Sequence, residues 1–137
     1  MVANTTPIFP SAPDVQWPAT PITTANTAKD GTGTVLTLFT AGTDGAKVDK
    51  VLARPIGTNV ASVLRLFVNN GSTNATAGNN SLIAELSLPA TTGVETAALT
   101  QLEIPLSIGL PAGYKINATI GTTVASGWQL TAVGAKY

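Results

Sequence analysis

In this 137-residue sequence, the carboxylates of Asp and Glu are the side chains best suited to catalysis or metal binding. The sequence has no His and no Cys, so it lacks the commonest general base and the thiol nucleophile. Glu85 and Glu103 lie in predicted strands, and two carboxylates on neighbouring strands could act as a glycosidase pair. Each lies on the more polar face of its strand, however, and nothing else in the sequence indicates a sugar cleft. We therefore expect no catalytic residues and no enzymatic activity.

Metal and cofactor sites are also not expected. A calcium site needs clustered oxygen ligands, and Asp44 and Asp49 are too few to form one. The run DGTGT at 30–34 lacks both the GxxxxGK[ST] spacing and the following helix of a phosphate-binding loop. Turn formation explains this run better, so we expect no cofactor.

The composition is that of a folded, uncharged protein. Apolar residues make up 44% of the chain and charged residues only 10%, against a usual charged fraction of about 25%. Formal net charge is zero, so nothing attracts nucleic acid or an anionic membrane, and nothing opposes self-association. The sequence has no membrane-spanning apolar run and no secretory signal, which predicts synthesis in the cytoplasm.

Seven segments have the apolar periodicity of β-strands, and residues 22–34 form a weaker eighth candidate. The seven are Val35–Thr40, Ala46–Ile56, Val60–Val68, Ser81–Leu88, Gln101–Ile108, Tyr114–Ile120 and Trp128–Lys136. Pro105 predicts that its strand is an edge strand or is bulged there. These features predict a single all-β domain over residues 22–137, a jelly-roll-like sandwich of about eight strands. A seven-stranded immunoglobulin-like sandwich is the alternative.

The connections give more local expectations. Asp44-Gly45 predicts a hairpin-type turn after the first clear strand, and residues 94–99 are the one place where a helical turn could form. The connection at 69–80 is long for a hairpin. It has no charge and no aromatic residue, and in a jelly roll its flanking strands could also lie in different sheets.

Residues 1–21 are predicted to form an extended N-terminal arm, because five prolines disfavour a helix there. The arm carries apolar side chains that a free linker would not normally expose: Ile8, Phe9, Val15 and Trp17. They either pack on the arm's own domain or dock on a neighbouring subunit.

Two arginines complete the set of candidate partner-binding residues. Arg54 and Arg65 lie on consecutive predicted strands, where an ion pair within or between subunits is the simplest role. The strand that holds Arg65 is apolar on nearly both faces, so it lies either at the centre of the sandwich or against a partner. The candidate partner-binding residues are thus Ile8, Phe9, Val15, Trp17, Arg54 and Arg65.

Residues 25–137 contain the segments RPIGTNVAS, NNGSTNATAGNN, LPAGYKI and GWQLTAVG. With these segments the sequence resembles a family of small proteins from tailed bacteriophages and prophages. The resemblance implies a jelly-roll-like capsid decoration (cement) protein, which binds the major capsid protein on the assembled head, usually as a homotrimer. It therefore implies a location on the virion surface. A receptor-binding or carbohydrate-binding module of a tail or head fibre is the alternative.

Overall fold

The protein is a sandwich of two four-stranded antiparallel sheets. A computed structural model describes residues 9–137. Within that range no helix is long and apolar enough to cross a membrane. The strands are β1 (Ala12–Gln16), β2 (Leu36–Thr40), β3 (Ala46–Pro55), β4 (Ser62–Asn69), β5 (Asn80–Leu88), β6 (Leu102–Leu110), β7 (Lys115–Ile120) and β8 (Trp128–Lys136).

Strand pairing follows one rule through both sheets. The first sheet has the order β1-β8-β3-β6 and the second β2-β7-β4-β5. Thus β1 pairs with β8, β2 with β7, β3 with β6 and β4 with β5. The chain thus forms one long hairpin with its turn between β4 and β5. Successive strand pairs of this hairpin belong alternately to the two sheets. The predicted jelly-roll-like sandwich is confirmed, and the immunoglobulin-like alternative is not adopted.

The core lies between the sheets and results from the alternation of each strand. In β4, Leu64 and Leu66 point inward and are completely buried. In β8, Trp128 and Leu130 do the same from the opposite sheet. Burial of one such side chain stabilises the fold by roughly 1.5–3 kcal/mol, so this layer holds the two sheets together.

Two local predictions are wrong, because strand pairing depends on distant segments and not on the local sequence alone. The weak strand expected at 22–34 does not form: only isolated bridges occur there, Ile22 with Trp128 and Ala25 with Ile120. The eighth strand is instead β1, inside the arm. The turn after β2 is not a hairpin, because β2 and β3 lie in different sheets.

Other expectations about connections have mixed outcomes. No helical turn forms at 94–99, where Val94 and Ala97 instead bridge across a tight turn. The 69–80 connection does join a hairpin, since β4 and β5 pair in the same sheet. Pro105 lies in β6, which is an edge strand, and its pairing with β3 is irregular beside it. The prediction about Pro105 is therefore confirmed.

Two loops beside the second sheet are joined to each other by hydrogen bonds. One is residues 26–35, which starts where the Asn26 N–H donates to Ile120 O of β7. The other is residues 70–79. The Asn74 side chain joins them by donating to Gly31 O (3.2 Å) and Gly33 O (2.8 Å).

β4 is apolar on both faces because its outward-facing Phe67 is also buried. Phe67 alternates with the core residues Leu64 and Leu66, so it points to the outer face, yet it is completely buried. Asn117, its cross-strand neighbour in β7, is also buried. Because the single chain already buries both side chains, no partner is needed to bury Phe67.

Candidate interaction surface

Residues 12–16 of the arm belong to this chain's own sandwich. β1 pairs with β8 along its whole length, from Ala12 with Lys136 to Gln16 with Ala132. Beyond the strand, the Ser11 N–H donates to Lys136 O at 2.7 Å. In this part of the arm the backbone therefore packs on its own domain, which was one of the two alternatives for its apolar residues.

The side chain of Gln16 fastens β1 to the opposite sheet. Its Nε2 donates to Thr40 O at 3.0 Å, and the Thr40 N–H donates to its Oε1 at 3.0 Å. The amide thus makes the pair of hydrogen bonds that a strand residue would make with the end of β2. This contact joins the two sheets at the edge of the sandwich where β1 and β2 lie.

The apolar side chains of the arm nevertheless remain exposed. Phe9 is 76% exposed and Trp17 is 61% exposed, while Pro13 and Val15 between them are also exposed. Alternation along β1 directs Pro13 and Val15 to the outer face of the first sheet, beside Ala135 and Val133 of β8. We call Phe9, Pro13, Val15 and Trp17 the arm stripe. Exposed aromatic and aliphatic groups in a row are typical of a protein-binding site.

Charged side chains border the arm stripe on the same face. In β3, next to β8, Lys47 lies 3.6 Å from Asp49 and Lys50 lies 3.4 Å from Glu103 of β6. All four are close to half exposed, so each pair is worth at most about 1 kcal/mol. The arrangement of an apolar stripe with a charged border resembles the core and rim of a protein interface.

Arg65 lies on the outer face of the second sheet, away from the arm. Its Nε donates to Glu85 Oε1 at 2.8 Å across the β4–β5 pair. The Arg65 side chain is only 11% exposed, against 51% for Glu85, and its Nη1 is buried with no hydrogen-bond partner. The bond to Glu85 is an ion pair between strands of one subunit, which is one of the two roles expected for this arginine.

The structure does not bring the two strand carboxylates together. Glu85 pairs with Arg65 in the second sheet, and Glu103 pairs with Lys50 in the first. Between residues 9 and 137 no three acidic side chains cluster as metal ligands. A cavity of about 150 Å³ beside the start of β2 has a neutral lining that includes Thr24, Thr34 and Thr119. The lining of this cavity has no carboxylate and no other titratable side chain.

Of the residues predicted to bind a partner, Phe9, Val15 and Trp17 lie together in the arm stripe. Ile8 lies outside the described residues. Arg54 is exposed near the end of β3. Arg65 lies in the other sheet, away from the arm stripe and from Arg54. Sequence reasoning missed Gln16, because the role of its amide depends on Thr40 in the other sheet.

No protein-family model matches this chain, and searches of curated proteins and of solved structures found no match either.

Proposed function

We propose that this protein is a structural component of a tailed-phage virion, a cement protein that binds the assembled head and bridges capsid subunits. The observation that carries the proposal is the arm stripe, a set of exposed apolar side chains along the arm, of which Pro13 and Val15 lie in β1. A cement protein runs no reaction and needs a stable core together with surfaces for partners. The jelly-roll-like sandwich, the neutral chain and the separated carboxylates support such a role.

The arm stripe suits a protein surface better than other partners. It contains no cationic side chain, so it lacks the groups that bind nucleic-acid phosphates or anionic lipids. Its aromatic and aliphatic residues are types that bury well against another protein, where a few such anchors carry most of the binding energy. In this proposal the major capsid protein buries the stripe, and the protein resides on the capsid surface as a homotrimer.

The test uses heads purified from the phage or prophage that encodes the chain. The variant Phe9→Ser/Val15→Ser/Trp17→Ser removes three of the four apolar side chains of the arm stripe and leaves the backbone pairing of β1 and the Gln16 amide in place. Its matched control is Leu82→Ser/Ile83→Ser, which replaces exposed apolar side chains on β5 at the other edge of the molecule. Binding is measured by co-sedimentation with the heads over a range of protein concentrations.

We expect the stripe variant to bind heads at least about tenfold more weakly and the control to bind like the unmodified protein. Equal occupancy by the stripe variant would overturn the role of the stripe. If the unmodified protein failed to bind heads, the cement function itself would be wrong. Binding to host-cell glycans instead would favour the fibre-module alternative, with Trp17 as its aromatic platform.

A further inference from the structure

A second exposed apolar group lies at one end of the sandwich, distant in sequence from the arm stripe. Three loops meet there: residues 56–61 between β3 and β4, 89–101 between β5 and β6, and 121–127 between β7 and β8. Ile56, Val60 and Val94 in these loops are each more than half exposed. We call these three residues the tip cluster.

Hydrogen bonds hold the three loops in one rigid arrangement. The backbones of Asn59 and Thr91 bond in both directions, at 3.1 and 2.9 Å. The Ile56 N–H donates to Gly127 O at 3.1 Å, and the Gly93 N–H donates to Thr58 Oγ1 at 3.1 Å. Each residue of the tip cluster is therefore next in sequence to, or part of, a contact between loops.

The buried side chain of Asn59 is the centre of this arrangement. Its Oδ1 accepts from the N–H groups of Ser126 (3.0 Å) and Gly127 (2.7 Å). Its Nδ2 donates to Gly127 O at 3.2 Å and to Gly57 O at 3.3 Å. One side chain thus fastens two loops, and the third is joined to them through Thr91. Little conformational entropy remains to be lost when such a surface binds a partner.

The charges around the tip cluster indicate what that partner is. Glu95 is the only charged residue in the three loops, and Arg54 lies two residues before Ile56. Within residues 9–137 the salt bridges involve other side chains, so neither Arg54 nor Glu95 has an ion-pair partner there. The surface therefore carries one cation and one anion at the border of an uncharged apolar centre, and it is complementary to itself.

We propose that the tip cluster is the contact between copies of this chain, with Arg54 of one copy paired to Glu95 of the next. Because each copy supplies both charges, the contact can continue from copy to copy and close into a ring. Ile56, Val60 and Val94 of successive copies then pack together near the ring axis. This inference rests on the self-association in the proposed function and assigns it a surface, separate from the arm stripe that faces the capsid.

The first experiment measures mass in solution by sedimentation velocity over a range of concentrations. We expect the unmodified chain to form an oligomer of the 13.8 kDa protomer. Arg54→Glu and Glu95→Arg should each raise the dissociation constant of the oligomer by about tenfold or more. The double variant Arg54→Glu/Glu95→Arg should restore most of the association, because it re-forms the pair with the charges exchanged.

Two further variants separate this contact from other surfaces. Ile56→Ser/Val60→Ser/Val94→Ser should shift the protein to the monomer, while the arm stripe variant should keep the mass of the unmodified protein. A monomeric unmodified protein, or charge variants that weaken the oligomer without rescue in the double variant, would overturn the inference. So would tip variants that lose head binding and keep the oligomer, since the tip cluster would then face the capsid. None of these results depends on whether the arm stripe binds heads, which is measured separately.

Discussion

At the scale of single residues, amide side chains replace the charged residues that this sequence largely lacks. Asn59, Asn74 and Gln16 each bond to backbone groups that lie far away in the sequence. An amide can donate and accept at once, so one buried Asn or Gln can satisfy both kinds of backbone group without the cost of burying a charge. The loops and the arm are therefore held by neutral hydrogen bonds.

Replacement of Asn59 by Ala is expected to destabilise the protein markedly. Asn59 is 3% exposed, and its loss leaves the N–H groups of Ser126 and Gly127 without acceptors. A buried unsatisfied group costs about 1–3 kcal/mol, so the free energy of unfolding should fall by about 2–4 kcal/mol in urea denaturation. The control Asn70→Ala, in an exposed part of the 70–79 loop, should change it by less than about 1 kcal/mol. Equal effects of the two variants would contradict this role of Asn59.

Asp30 gives a prediction about pH. The hydroxyl and the backbone N–H of Thr32 both donate to Asp30 Oδ1, at 2.6 and 3.1 Å. These bonds lower the pKa of Asp30 below its ordinary value of 3.8. A lowered pKa in the folded state contributes stability that is present above pH 3.8 and is lost as the pH falls through the folded value.

Thr32→Val removes the hydroxyl and should raise the pKa of Asp30 toward 3.8, as measured by NMR titration of the Asp30 carboxyl carbon. The variant should therefore be less stable than the unmodified protein above pH 3.8, where the lowered pKa contributes, and the difference should shrink as the pH falls below that value. An unchanged pKa in the variant would show that the hydroxyl does not determine it.

At the scale of elements, β1 is a short edge strand with a weak attachment. It has five residues and a single partner strand, β8, and Pro13 within it has no N–H to donate. The pair of bonds between Gln16 and Thr40 compensates by joining β1 to the second sheet. The Gln16 side chain therefore helps to hold β1, which carries Pro13 and Val15 of the arm stripe.

Gln16→Ala should loosen β1 while leaving the rest of the sandwich folded. Loss of two hydrogen bonds of about 1 kcal/mol each corresponds to roughly tenfold to thirtyfold faster amide hydrogen exchange in β1. Exchange in the central strand β3 should be unchanged. The control Gln129→Ala, whose amide bonds only to the adjacent Leu130 O, should leave exchange in β1 as it is. Uniform acceleration through β1 and β3 would indicate a global effect and contradict this interpretation.

At the scale of the whole molecule, the sequence predicts strands much better than it predicts their partners. β8 was predicted to the residue, because Trp128, Leu130 and Ala132 alternate cleanly with polar neighbours. β1 was not, because a short stretch with prolines has no clear alternation and becomes a strand only by pairing with β8. The turn at Asp44-Gly45 has local chemistry that does not reveal whether the next strand joins the same sheet.

The sequence also predicts one of the two candidate surfaces, the arm stripe, better than the other, the tip cluster. Phe9, Val15 and Trp17 were identifiable because aromatic and aliphatic residues are unusual in a Pro-rich segment. Ile56 and Val60 were not, because the sequence predicts them at the ends of strands, and Val94 was not, because it falls in the segment expected to form a helical turn. Val124 lies in a similar loop and is buried in the core. Exposure of the tip cluster follows from how three loops pack, which no single segment encodes.

The pairing of β1 with β8 also sets an order of events during protein synthesis. Within residues 9–137 β1 pairs only with β8, the last strand in chain order, so β1 leaves the ribosome long before its partner exists. At about 5–20 residues per second, translation from residue 16 to residue 128 takes on the order of ten seconds. Throughout that interval Phe9, Val15 and Trp17 belong to a nascent chain without a sheet to hold them. The surface that is proposed to bind the capsid is therefore the last part of the sandwich to fold.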